Sequence, residues 1–392
     1  MPKTICFYNA VEILPEHGGV ERVTWVLASF FERNGYSVLF LSKRERSGLA
    51  NPDKRQFFIP LGNGRKFEEF ISERDIEIFV NQDGAAKFPY AIPQNRKFVF
   101  ITVLHLRPFF FNEDSPFEKI SRLPFSRVFP KSILRKITSC RFFNNAFLKL
   151  FKIILGFRYR KTIKMSDAFV LLSDAYKSEI KSIVGNKIST TNIHAIHNPI
   201  PLPVSNVDFS LKKKELLWIG RLVFSQKRPD LMLKIWALIQ DRFPDWSLRF
   251  LGDGEYLEEL KKQAQKLSRV FFEGRTSPQK YYENTSILCM TSAYEGFPMV
   301  LLEGAANGCV PVAFDSFAAL RDIIVDGENG CVVEWADCEA YAETLCRLME
   351  DSEMRVRLGR ASLKWANERF SLDVIGAKWM RLFGELAQEK SR

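Results

Sequence analysis

Histidine is scarce in this 392-residue chain, at four residues, and the seven cysteines include no C-x-x-C pair. Neither a zinc ribbon nor a dithiol redox centre therefore has its ligands. His194 and His197 have H-x-x-H spacing, but they sit in an apolar, strand-like stretch where positions three apart face opposite sides, so no metal is expected there. The cysteines (Cys6, Cys140, Cys289, Cys309, Cys331, Cys338, Cys346) read as small buried hydrophobes of a reducing compartment. No Asp-x-Asp pair occurs, which removes the usual two-carboxylate seat for a divalent ion. No window approaches the roughly 18 apolar residues of a membrane-spanning helix, and the apolar run Thr4–Asn9 is too short for a secretory signal. Neither export nor a transmembrane anchor is expected.

What is present is a globular composition, 46% hydrophobic and 26% charged, on a chain long enough for about two or three domains. The net charge of +11 is not spread evenly. Residues 107–164 carry 14 Lys and Arg against three acids, whereas the rest of the chain balances at 43 against 43. The same segment holds 11 of the 35 phenylalanines. Between Lys131 and Phe157, Ile133, Leu134, Ile137, Phe143, Phe147, Leu150, Phe151 and Ile154 recur at steps of three or four, the spacing of an amphipathic basic helix. Two readings stay open: an anionic membrane surface met by Arg135, Lys136, Phe143, Phe147 and Phe151, or a helical cap packed on its own domain. No zinc-finger spacing or aromatic RNA-binding string accompanies the patch, so nucleic acid is not an expected partner.

Short apolar runs alternate with helical patterns along the chain, which indicates parallel sheets wrapped by helices. Strands are expected at Thr4–Asn9, Ser37–Leu41, Ile76–Val80, Lys97–Leu104, Ala168–Leu172 and Asn192–His197, with a helix over Glu21–Arg33 and a helix start at Ser173-Asp174. Pro199, Pro201 and Pro203 then mark a linker. The pattern restarts with strands Glu215–Ile219, Ser247–Leu251, Val270–Phe272, Ser286–Met290, Val310–Ala313 and Gly330–Val333, and helices at Pro229–Arg242, Glu255–Leu267, Met299–Asn307, Cys338–Met349, Ser352–Arg369 and Asp373–Leu386. The expected class is α/β, two doubly wound domains.

Three strings carry chemistry. Ser292 to Glu303 follows a strand, turns at Gly296 and enters a helix near Pro298, where free N–H groups and the helix dipole favour a phosphate. Glu295 and Glu303 flank that point; they are either two acceptors for sugar and ribose hydroxyls or an N-capping acid and a solvated helix Glu. In Trp218 to Lys227, Arg221 and Lys227 are two fixed cations that would offset charge growing on a diphosphate leaving group, unless they are simply solvated. In His17-Gly18-Gly19-Val20-Glu21, two glycines allow backbone to approach a ligand at a helix start, or form an ordinary flexible loop.

Together these strings resemble glycosyltransferase family 4, whose architecture is GT-B, two facing Rossmann-like domains with the cleft between them. The family's E-x7-E pattern is matched by Glu295 and Glu303, its G-R-x5-K pattern by Gly220, Arg221 and Lys227, and its glycine loop by Gly18 and Gly19. Leu251-Gly252-Asp253-Gly254, Phe272-Glu273-Gly274 and Asp326 to Gly330 follow in the family's order. The match is dense over residues 215–335, diffuse over 1–105 and absent over 107–165. The wording Glu-Gly-Phe-Pro-Met and Gln-Lys-Arg-Pro resembles bacterial enzymes that assemble capsule, exopolysaccharide and O-antigen.

The resemblance implies residues 1–200 as the acceptor-binding domain with a basic insertion at 107–165, residues 201–372 as the donor-binding domain, and residues 373–392 as a helix crossing back to the first. It implies sugar transfer with retention from a UDP- or GDP-sugar, without metal or other cofactor, to a lipid-linked or free saccharide acceptor, at the inner face of the cytoplasmic membrane. Arg221 and Lys227 would hold the diphosphate, Glu295 the sugar, Glu303 the ribose and Gly19 the distal phosphate. Gly220, Gly274, Arg275, Gly296, Phe297, Pro298, Met299 and Val300 would complete the donor pocket, and His105, at a strand end, would contact the donor sugar or relay a proton. Asn198-Pro199 stands where many members have Asn-Gly, which would stiffen the hinge. A nucleotide-sugar epimerase, a sugar phosphorylase and an inactive nucleotide-sugar-binding scaffold are the competing functions.

Overall fold

The computed structural model describes residues 3–16, 18–45, 53–84, 86–93, 95–109, 141–185, 188–201 and 206–391. The chain divides into two compact units, Met1–Ile196 with Lys378–Arg392, and His197–Ala377.

The first unit is a parallel sheet. Its elements are β1 (Thr4–Asn9), α1 (Gly19–Arg33), β2 (Ser37–Ser42), β3 (Gln56–Phe58), α2 (Gly64–Glu73), β4 (Ile76–Asn81), β5 (Val99–Leu104), α3 (Arg141–Met165), β6 (Ala168–Leu171), α4 (Tyr176–Val184) and β7 (Ile193–Ala195). The strand order is β3-β2-β1-β4-β5-β6-β7. β4 and β5 are buried nearly throughout, which matches their continuous apolar sequence. The core is strongly aromatic: Tyr8, Phe67, Phe79, Phe88, Tyr90, Phe98 and Phe100 pack as one cluster, with Phe67 and Tyr90 stacked at 4.6 Å. β3 and α2 were not expected. β3 is a three-residue edge strand, and α2 buries only Phe67 and Phe70, so its sequence reads as polar.

The second unit comprises β8 (Lys213–Ile219), α5 (Phe224–Lys227), α6 (Pro229–Ile239), β9 (Ser247–Leu251), α7 (Leu257–Ala264), β10 (Val270–Phe272), α8 (Gln279–Asn284), β11 (Thr285–Met290), α9 (Met299–Ala306), β12 (Val310–Asp315), α10 (Leu320–Ile323), β13 (Cys331–Glu334), α11 (Cys338–Glu350) and α12 (Ser352–Phe370). The last helix, α13 (Leu372–Ser391), begins here, and from Lys378 onward it belongs to the first unit. The sheet order is β10-β9-β8-β11-β12-β13. Its core is built on Trp218, Trp236, Trp246 and Phe250 with aliphatic neighbours.

All pairings in both sheets are parallel, so each unit has the expected Rossmann-like order. In each, the order reverses once, at β1/β4 and at β8/β11, and such switch points are where ligands meet strand C-termini. Two strand expectations shift. The Asn192–His197 run is ordered as a strand only over Ile193–Ala195, because β7 is an edge strand paired on one side to β6 alone. The Ser173-Asp174 helix start becomes a turn, Tyr176 N–H to Ser173 O, that precedes α4.

The amphipathic stretch is described only in part. Arg135 and Lys136 lie outside the described residues, and for Phe143 and Phe147 only helical backbone is described. Further along α3 two apolar faces emerge. Leu155, Tyr159 and Ile163 are buried, whereas Leu150, Ile153, Ile154 and Phe157 are each more than half exposed. Phe151 is half-buried. No helix among the described residues is long and apolar enough to cross a membrane. Of the described cysteines, five are buried and Cys338 is half-buried; burial pushes the Cys289 thiol up to about 12.

Candidate functional site

The loops after β8, β9 and β10 are joined edge to edge, as though the sheet continued past its strands. Gly220 N–H donates to Leu251 O at 3.0 Å, Gly252 N–H to Gly274 O at 2.8 Å, and Leu222 N–H to Asp253 O at 2.9 Å. Glycine is required at Gly252, whose φ is +135° and whose Cβ would lie 1.9 Å from Gly220 O. Gly274 also has positive φ, at +67°. The glycine loops after β8, β9 and β10 are thus one backbone platform, on which Arg221 and Arg275 stand exposed.

Lys227 ends the one-turn helix α5. Thr291, just past β11, fixes that end: its hydroxyl meets the carbonyls of Lys227 and Arg228 at 3.1 and 2.8 Å while accepting from Trp218 Nε1 at 2.9 Å. Arg228 then takes the left-handed conformation and α6 begins at Pro229. Ala293 N–H donates to Gln226 O at 2.7 Å, and Gln226 Nε2 donates to Tyr294 O at 3.3 Å. These bonds bring together strings 68 residues apart, and Lys227 Nζ reaches Glu295 Oε1 at 2.5 Å. Both side chains are mostly buried, at 17% and 9% exposure. Burying an ion pair brings little net stability because desolvation offsets the attraction. Arg221 lies on the same loop, 3.4 Å from Gln226 Oε1.

The strand β11 continues into a buried turn, Glu295 to Pro298. The helix begins at Met299, as expected, and ends one residue early at Ala306, with Pro298 as the capping residue and no side chain capping it. Phe297 anchors the turn against His197 and Phe370, at 5.3 and 5.8 Å between ring centres. Met299 and Val300 are half-buried on the first turn. Glu303 is 3% exposed, so it is not a solvated helix residue. Tyr282, on α8, donates its hydroxyl to Glu303 Oε2 at 2.8 Å. Lys212 steadies the ends of α8 and α9 by donating to Tyr282 O at 2.8 Å and Asn307 O at 2.6 Å, and burial lowers its pKa. Nothing in the sequence marks α8, Tyr282 or Lys212, since a lone Tyr before a strand carries no pattern.

In the first unit, Gly18 caps α1 in an extended conformation and Gly19 opens it, exposed. His105 follows β5, and its Nε2 lies 2.6 Å from Gln82 Oε1. Burial pushes its pKa down to about 4, so the ring is neutral at pH 7.

Residues 205–365 match the family model of glycosyl transferases group 1. The whole chain is similar to an uncharacterized glycosyltransferase of Haemophilus influenzae, 28% identical over 374 residues, covering 92% of this chain and 95% of the relative. It is also 29% identical over 210 residues to the amylovoran biosynthesis glycosyltransferase AmsD of Erwinia amylovora, covering 51% of this chain and 58% of the relative. Among solved structures, the pneumococcal O-GlcNAc transferase GtfA in complex with UDP and GlcNAc superposes with a TM-score of 0.71 at 13% identity, covering 98% of this chain and 99% of that one. That likeness shows the fold, the two-domain GT-B class. The match to group 1 glycosyl transferases thus lies within the second unit, and the similar proteins are themselves named as glycosyltransferases.

Proposed function

We propose that this chain is a retaining, metal-independent glycosyltransferase of family 4 that moves a hexosyl group from a UDP- or GDP-sugar to a saccharide on a polyprenyl diphosphate carrier, for bacterial surface polysaccharide. The observation that carries this reading is the Lys227–Glu295 pair at the switch point of the second sheet. A diphosphate has two features that such a site can use. Its charge suits Lys227 and Arg221, and the sugar it carries has hydroxyls for Glu295. As the bond between sugar and diphosphate breaks and the acceptor hydroxyl forms the new one, negative charge grows on the departing nucleoside diphosphate. Fixed cations stabilise that charge more than they stabilise the ground state. Glu303, buried and held by Tyr282, is the acceptor for ribose hydroxyls. The glycine platform gives the base and phosphates a close backbone surface, with Arg275 at its margin. In the first unit, Gly18, Gly19 and His105 are assigned to the same reaction by the family pattern.

Peripheral membrane binding at the cytoplasmic face is supported by α3, where exposed Leu150, Ile153, Ile154 and Phe157 stand among Lys149, Arg158, Lys161 and Lys164. Flotation with anionic vesicles should carry the protein upward; protein left at the bottom contradicts that part.

The test of the activity is incubation with radiolabelled UDP- and GDP-sugars and polyprenyl-diphosphate saccharide. Label entering the lipid fraction together with release of nucleoside diphosphate supports the reading. Sugar isomerised without acceptor, phosphate-dependent cleavage, or binding without turnover would instead favour the epimerase, the phosphorylase or the inactive scaffold.

A further inference from the structure

Where β4, β5 and α1 meet, a chain of hydrogen bonds runs through three side chains that no strand or helix needs. Thr24, buried on α1, places its Oγ1 2.8 Å from Val20 O. A carbonyl only accepts, so the single hydroxyl proton points there. Gln82 Nε2 lies 3.2 Å from the same Oγ1 and must therefore be the donor to it. That fixes which way the amide faces. Its Oε1 is turned to His105 Nε2, 2.6 Å away, and since Oε1 only accepts, Nε2 carries the imidazole proton. His105 Nδ1 is left as a bare lone pair, buried and with no hydrogen-bond partner among the described residues.

The backbone holds this arrangement firmly. Gln82 N–H donates to Tyr8 O at 2.8 Å, and Gly84 lies so close to β5 that a Cβ there would sit 2.4 Å from Val103 O. A buried acceptor left unfilled is costly, so keeping one at a sheet's C-terminal edge needs a reason.

We infer that Gln82 is a positioning residue that locks His105 in its Nε2–H tautomer and so keeps Nδ1 as the ring's one hydrogen-bond acceptor in the transfer reaction. This rests on the reading that His105 serves the transfer reaction. The burial that keeps the ring neutral at pH 7 also keeps that lone pair available. A mere packing role for Gln82 would not require one tautomer.

The experiment is long-range proton–nitrogen correlation on the uniformly 15N-labelled full chain, with the His105 ring assigned by its disappearance in His105→Asn. At pH 7 the wild type should show a protonated Nε2 and an unprotonated Nδ1. In Gln82→Leu the two nitrogen signals should move toward each other as the tautomers mix, and kcat for transfer should fall about three- to tenfold with donor KM little changed. A wild-type ring with Nδ1 protonated, or Gln82→Leu spectra identical to wild type, overturns the role of Gln82. Unchanged transfer by His105→Asn, alongside the expected spectra, overturns the reading of His105 while leaving the tautomer lock standing.

Discussion

The two units carry unlike groups at the C-terminal edges of their sheets. At the C-terminal edge of the second sheet stands a charged pair, Lys227 and Glu295, each from a short contiguous string. At the corresponding edge of the first stands a neutral chain, Thr24, Gln82 and His105, with no formal charge at pH 7. A charged pair can release its cation to an incoming anion, whereas a neutral chain can only orient a hydroxyl. The difference accords with the proposed roles, in which Lys227 faces a diphosphate and His105 serves a sugar hydroxyl.

The sharpest way to break that comparison is Lys227→Gln. Losing a fixed charge at a developing anion lowers kcat by about 10²–10³, so steady-state kinetics should show that drop with the melting temperature recorded alongside. A drop under tenfold would remove the charged half of the comparison.

Next in size is a pH effect from the neutral half. His105 has a native pKa of about 4 against roughly 6.5 when unfolded. Between these values the unfolded chain binds the extra proton, so stability rises with pH in that window and is lost as pH falls through it. The loss is on the order of 3 kcal/mol from pH 6.5 to below 4. Melting curves of wild type and His105→Asn should converge at acid pH; parallel curves would mean the imidazole is not kept neutral by the fold.

Gly252→Ala tests the platform under the charged half. Its positive φ and the overlap with Gly220 O should cost about 1–3 kcal/mol and weaken nucleoside diphosphate binding, read by thermal melts and titration calorimetry. Tyr282→Phe is the smallest change. Removing one hydroxyl from Glu303 should weaken binding of a ribonucleoside diphosphate about three- to tenfold but leave its 2′,3′-dideoxy analogue unaffected.

How far each site could be read from sequence follows from the same contrast. Lys227 and Glu295 were legible because strand, turn and helix signals place each of them within a few residues of its scaffold. Their pairing was not legible, since it depends on Thr291 and Gln226 tying the two loops together. Gln82 was invisible, as its partners lie 58 and 23 residues away and glutamine is an ordinary surface residue. The sheets were readable wherever strands are buried on both faces. The edge strands β3 and β7 were not, because three residues paired on one side leave little pattern.

In the proposed reaction the second unit grips a nucleoside diphosphate through Lys227. Titration calorimetry of UDP and GDP into the wild-type chain and into Lys227→Gln addresses it directly. The expected result is saturable binding of one nucleotide by the wild type and at least tenfold weaker binding by the variant; no binding of either nucleotide, or equal binding by both proteins, would contradict it.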